Sequence, residues 1–165
     1  MSEAYVECLV KRKGTVKSKV LTAFLASLTL VTFLTITLFA LISLVLAAVL
    51  GVATYFAWLQ TAVEYEYLYL DKEITIDKVL ARTKRKRVAT FDLNRIEIIA
   101  PVQSYHLDNY KNRQVKVKDF SSGENIDVKK RFVFYYEGGV KVVFDPNQKM
   151  IDVLRNVAPR KVFVD

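Results

Sequence analysis

The chain has 165 residues, 25 of them Lys or Arg and 17 Asp or Glu, giving a formal charge of +8, while 52% are hydrophobic. The two classes are segregated: from Val20 to Val63 there is no Asp, Glu, Lys, Arg or His, whereas about 18 apolar residues in a row already read as membrane-spanning. A simple soluble enzyme is thereby excluded, and 10 Phe with 9 Tyr exclude a disordered chain.

The first segment, residues 1–19, is basic. Lys11, Arg12, Lys13, Lys17 and Lys19 precede the apolar run, opposed only by Glu3 and Glu7. Residues 5–11 alternate as a strand would, and such a strand would pair with an exposed sheet edge; an amphipathic interfacial helix is the rival. Cys8 reads as an inert thiol rather than a lipidation site.

The apolar run, residues 20–62, predicts a transmembrane helical hairpin. As one helix it would reach roughly 66 Å, about twice the ~30 Å hydrocarbon core, which tilting cannot absorb. Two spans fit, with the reversal placed near Phe39 to Ser43. Short basic flanks stay in the cytoplasm, so an even number of spans puts both termini in the cytosol. Tyr55 and Trp58 suit the headgroup level near the exit. Small residues recur at helical spacing (Thr22, Ala26 and Thr29; Ala47, Gly51 and Thr54), a pattern suited to close helix approach and to a homo-oligomer through the spans. No ionisable group lies within either span, which counts against a transporter. The hydroxyls at Thr22, Ser27, Thr29, Thr32, Thr35 and Thr37 read as spread around the helix, which counts against a pore.

Residues 63–165 switch to period two. Tyr65, Tyr67 and Tyr69 alternate with Glu64, Glu66 and Leu68; Ile74 and Ile76 follow after an Asp71-Lys72 turn. Ala89, Phe91 and Leu93 share a face, as do Ile96, Ile98 and Ala100 before Pro101. Val115 and Val117 alternate with Lys116 and Lys118, and Phe132, Phe134 and Tyr136 lead through Gly138-Gly139 to Val140, Val142 and Phe144. This makes about seven strands, expected to be antiparallel. A helix over about 146–158 closes the chain, with Asp145 as its expected cap, Pro146 as its first residue and an apolar stripe of Met150, Ile151, Leu154 and Val157.

Seven short strands and one C-terminal capping helix resemble the pleckstrin-homology-like (PH-like) fold, a β-sandwich or barrel. Tyr5-Val6-Glu7-Cys8-Leu9-Val10-Lys11-Arg12-Lys13, Glu64-Tyr65-Glu66-Tyr67-Leu68-Tyr69, Arg85-Lys86-Arg87 before Phe91-Asp92, and Ala158-Pro159-Arg160-Lys161-Val162-Phe163 are similar to a bacterial family of uncharacterised small membrane proteins with two predicted spans and such a domain. The resemblance covers essentially the whole chain. It implies no catalytic residues, and the fold binds lipids in some proteins and peptides in others.

The densest charge cluster is Arg82, Lys84, Arg85, Lys86 and Arg87. The first strand leaves the bilayer near Val63 and runs roughly 26 Å to Asp71, and the second returns by a similar distance. The basic segment, read as a loop, is thus expected beside Lys11, Arg12, Lys13, Lys17 and Lys19. Together these ten residues are the candidate contacts for anionic headgroups of the inner leaflet. No stacking motif or helix-turn-helix supports nucleic acid. Lys129-Lys130-Arg131 reads as a charge run at the start of a strand, and His106 as a surface residue beside Asp108. One Cys, one His and no Gly-rich phosphate loop leave no metal site, cofactor or catalytic set to name. The expectation is a non-enzymatic, membrane-anchored binding or scaffolding module at the bacterial cytoplasmic membrane. The alternative is an assembly protein whose spans oligomerise and whose β domain takes a protein partner.

Overall fold

The computed structural model describes residues 5–35, 40–82, 84–123 and 130–164. It contains two compact units, residues 13–63 and residues 1–12 together with 64–165.

The helical unit holds α1 (Val16–Leu34) and α2 (Ala40–Leu59). Helix α1 starts within the basic flank, so Lys17 and Lys19 lie in its first turns rather than before it. Both helices are long and apolar enough to cross a membrane. Helix α2 already includes Ala40 to Ser43, part of the stretch expected to reverse (Phe39 to Ser43); residues 36–39, Thr37 and Phe39 among them, lie outside the described residues. The helices run antiparallel, since Thr29 Oγ1 meets Thr54 Oγ1 at 3.2 Å while Ser43 Oγ donates to the Thr35 carbonyl at 3.4 Å. Thr22, Thr29, Thr32 and Thr35 are half-buried whereas Ala26 and Ser27 are exposed, so most of the α1 hydroxyls gather on one face after all. The spacing i, i+7, i+10 returns to one side of a helix, and a partner helix covers it. Most of those hydroxyls are also bonded back to carbonyls of their own helix, as at Thr22, Thr29, Thr32 and Thr35. At the open end a Cβ on Gly14 would stand 3.0 Å from the Thr61 carbonyl oxygen, so glycine permits that approach.

Among the described residues the second unit has eight strands in two four-stranded sheets, seven within residues 63–165 and one before the helices. The first sheet has the order β1-β2-β3-β4: Val6–Lys11, Val63–Leu70, Glu73–Leu80 and Lys84–Asp92. The additional strand comes from before the helices: β1 pairs antiparallel with β2, Val6 opposite Tyr69 through Lys11 opposite Glu64. Asp71 and Lys72 both have positive φ (48° and 63°), the twist that a two-residue hairpin needs between β2 and β3.

The second sheet has the order β5-β7-β8-β6: Ile96–Pro101, Phe132–Tyr136, Val140–Phe144 and Lys116–Asp119. Strand β6 runs parallel to β8, departing from the all-antiparallel expectation. Its Val/Lys alternation carries no information about partner direction, and Val117 is exposed.

The inner faces meet through edge-to-face aromatic pairs, Tyr67 with Phe144 (5.7 Å) and Phe91 with Phe134 (5.0 Å), while Phe134 packs on Phe144 (5.3 Å) within the second sheet. Helix α3 (Gln148–Val157) adds buried Met150, Ile151 and Leu154. Its N-cap is Asn147, whose side chain accepts from the Met150 amide at 2.9 Å, not Asp145 with Pro146 as first residue. Asp145 is occupied elsewhere, as described below. A smaller apolar cluster of Ile98, Ala100, Leu107, Val133 and Tyr135 lies under the 3-10 helix Tyr105–Tyr110.

Candidate functional site

The basic cluster is a turn followed by a strand, not a loop. Ala81 and Arg82 have positive φ (46° and 59°), and Lys84 to Arg87 open β4, the edge of the first sheet. Thr83 lies outside the described residues. The β3–β4 register pairs Ile76 with Ala89 but Asp77 with Arg87, so Val88 is the extra residue of a β-bulge. That bulge decides where the charges point. Side chains alternate along a strand, and simple alternation from core-facing Phe91 and Ala89 would turn Arg87 and Arg85 inward as well. The extra residue reverses the phase, so Arg85 and Arg87 share the outer face with Asp77 and Val79. Lys84 and Lys86 take the opposite side.

On the outer face the arginines meet carboxylates: Arg82 Nε to Glu64 Oε1 at 3.4 Å, Arg85 Nη2 to Glu66 Oε1 at 3.0 Å, and Arg87 Nε to Asp77 Oδ1 at 3.7 Å. The arginine side chains remain 72%, 63% and 69% exposed. The side chains of Lys84 and Lys86 are exposed and form no hydrogen bond or ion pair among the described residues. Of the N-terminal candidates, Lys11 ends β1. Arg12 Nη1 donates to Tyr65 Oη at 2.8 Å and to the Asp119 carbonyl at 3.2 Å, so its guanidinium is held within the β unit. Lys13, Lys17 and Lys19 belong to the helical unit.

The carboxylates Glu7, Glu64, Glu66 and Asp77 carry no expectation from the sequence. The alternation Val63–Leu70 separates Glu64 and Glu66 from the tyrosines, but only the β1–β2 and β3–β4 registers show what they face. Glu66 is 1% exposed. Burial, and then the hydrogen bond with Glu7, push its carboxyl up to about 7, with Arg85 acting in the opposite direction. Glu7 is lowered, chiefly by that same bond with Glu66 and next by Tyr5, whose hydroxyl donates to it at 3.0 Å.

A second buried carboxylate behaves differently. Asp145 accepts from the Ser122 amide (2.7 Å), the Ser122 hydroxyl (2.6 Å) and Arg131 Nε (2.9 Å), and its own amide donates to Tyr67 Oη at 3.4 Å. Tyr67 Oη in turn donates to the Phe120 carbonyl at 2.6 Å. This network ties three loops to the core. Arg131 therefore serves inside the fold, whereas Lys129 lies outside the described residues. An open cleft of about 530 Å³ lies between Phe132 on β7 and the start of α3, with Lys130 at its rim.

Cys8 is buried opposite Tyr67, and burial pushes its thiol up, both unsuited to lipidation. His106 stacks between Tyr105 (4.0 Å) and Phe163 (3.8 Å), while Asp108 accepts from Lys111 at 2.6 Å. Among the described residues no group of three His, Cys, Asp or Glu is placed to hold a metal ion.

One family model, described as a bacterial PH-like domain (DUF6106), matches residues 2–164, taking in the helices as well as both sheets. The chain belongs to this bacterial PH-like family. No curated protein and no solved structure matches it. The PH-like assignment supports a binding or scaffolding module, and the two apolar helices are compatible with membrane association. Within that family, the eight-strand arrangement here places a strand on either side of the helical hairpin.

Proposed function

We propose that this PH-like protein is a membrane-anchored, non-enzymatic module whose basic turn and strand, Arg82 with Lys84 to Arg87, contact anionic lipid headgroups at the cytoplasmic face of a bacterial membrane. Lys11, Lys13, Lys17 and Lys19 add charge at the same leaflet, and Arg12 contributes least because its guanidinium is already engaged. The observation that carries the reading is the exposure of all five cations of the cluster, Arg82 in the turn and the other four on an edge strand. Each cation near such a surface is worth about 1 kcal/mol, falling off within a Debye length. The pairing of β1 with β2 supports both termini lying on one side, because segments on either side of the hairpin share one sheet.

Amine labelling of the full chain in nanodiscs tests the reading. Lys84 and Lys86 are expected to be protected in discs containing phosphatidylglycerol relative to zwitterionic discs, with the protection fading as salt rises. Equal labelling in both discs at low salt would sink it.

The second reading is a protein partner seated in the cleft beside α3, favoured by its mixed apolar and polar lining and by Lys130 at its rim. Lys130→Glu should then abolish capture of that partner without altering the lysine protection.

A further inference from the structure

The charges that surround Glu66 on the outer face of the first sheet are balanced. Around Glu66 stand Glu7 and Lys11 from β1, Glu64 from β2, Asp77 from β3, Arg82 from the turn, and Arg85 and Arg87 from β4. With every carboxylate ionised, four cations oppose four anions. The member able to tip the balance is Glu66. It is 1% exposed, and neither carboxylate oxygen receives an aligned hydrogen bond, although Arg85 stands 3.0 Å from Oε1. A buried carboxylate so poorly satisfied is costly in its charged form and far cheaper when protonated. Glu7 supplies the matching acceptor, because the two carboxyl groups are close enough to hold one proton between them.

We propose that Glu66 is a proton-binding site that sets how much of Arg85 is available to an anionic surface. With the proton bound, Glu66 donates to Glu7 and Arg85 has no buried counter-charge. This group then carries one net positive charge, and the guanidinium, already 63% exposed, is free to meet a phosphate. With the proton lost to solvent, the carboxylate holds Arg85 and the group is neutral. The bulge at Val88 is what brings Arg85 to this face at all. Titration near neutrality, as burial and Glu7 dictate for Glu66, puts the change within the range a bacterial cytoplasm experiences. The coupling to membranes rests on the headgroup reading above; the proton site does not.

The experiment therefore has two arms on the full chain in nanodiscs. In zwitterionic discs, ¹³C-glutamate NMR is followed from about pH 5 to pH 8.5, against a reference carboxyl value of about 4.3. One side-chain carboxyl should titrate within about one unit of 7 in the wild type and be missing in Glu66→Gln. If every glutamate has titrated below about pH 5.5, the proposal is overturned whatever the lipid arm shows. In the second arm, amine labelling of Lys84 and Lys86 is expressed as a ratio of anionic to zwitterionic discs at about pH 6 and pH 8, which cancels the intrinsic pH dependence of lysine reactivity. Protection should be roughly fivefold stronger at the lower pH, the yield of one additional cation at an anionic surface. Glu66→Gln should hold the stronger protection at both values, and Arg85→Gln should remove the pH dependence while Glu66 still titrates. Protection that ignores pH in the wild type overturns the coupling. Absence of protection under all conditions, with Glu66 still titrating near neutrality, overturns the headgroup reading and the coupling, but leaves the proton site standing.

Discussion

Asp145 and Glu66 are both buried carboxylates facing an arginine, and they are solved in opposite ways. Asp145 has four donors on it, two from Ser122 and two from Arg131, and sits where two loops and a strand end must be held together. Glu66 has an arginine near one oxygen, another carboxyl beside it, and no aligned donor. Burying an ionised group costs several kcal/mol unless its hydrogen bonds are replaced. The first site replaces them and is a structural clamp. The second leaves the cost in place and exchanges a proton instead. The same residue types, at similar burial, yield a fixed charge in one place and a variable one in the other.

The largest effect should come from inserting one residue between Ile76 and Asp77, which gives Val88 a partner and dissolves the bulge. Arg85 and Arg87 would then rotate toward the core side and Arg85 would lose Glu66, at a cost of more than about 4 kcal/mol for misplaced charges. The Asp145 clamp would be untouched, so the measurement is loss of cooperative thermal unfolding confined to the first sheet, read by amide exchange of β2 to β4. Next, Arg131→Ala should destabilise by roughly 3 kcal/mol, because Asp145 stays buried with its cation gone. Denaturant unfolding in detergent checks this, and a change under about 1 kcal/mol would show that the Ser122 bonds suffice alone.

Glu66→Gln should act in the other direction, and only at one end of the pH scale. The folded-state carboxyl is raised to about 7, so between the unfolded value and 7 the folded chain holds a proton that the unfolded chain has lost. Stability contributed by this group is thus present at low pH and declines as pH rises through that window. The variant should therefore be more stable than wild type near pH 8, by roughly 1 to 3 kcal/mol, with the opposite shift of Glu7 reducing the gain. Near pH 5 the two should coincide. A variant equally stabilised at both values would reflect packing rather than ionisation. The smallest effect is expected from Arg85→Gln, below about 1 kcal/mol near pH 6, since its partner is then neutral and the arginine is largely solvated.

Much of this architecture is legible in the sequence, because period and composition are local properties. The uncharged run from Val20 to Val63, the tyrosine alternation over Val63–Leu70 and the Gly138-Gly139 hairpin each state their own structure. What is not legible depends on register and partners. Alternation in 84–92 points Arg85 and Arg87 toward the core, and one unpaired Val reverses them. Asp145 before Pro146 carries the pattern of a helix cap, yet a more demanding partner, Arg131, claims it, and Asn147 takes the cap. The direction of β6 is set by a strand it does not adjoin in the chain. The five cations of the cluster are visible at once, whereas their balancing carboxylates lie on three other strands, one of them on the far side of the helical hairpin.

That last placement has a consequence during synthesis. Strand β1 leaves the ribosome ahead of its hydrogen-bonding partner β2, which follows only after both apolar helices. Strand β1 must therefore wait, with its backbone unpaired, until the helical hairpin has been synthesised and its far end has emerged. Until that moment Val6 and Cys8 have no core to enter, and Glu7 has no Glu66 beside it. Under the membrane-anchored reading proposed above, completion of the sheet then reports on successful insertion: a chain whose second helix fails to return delivers β2 to the wrong compartment, and the first sheet lacks its edge strand.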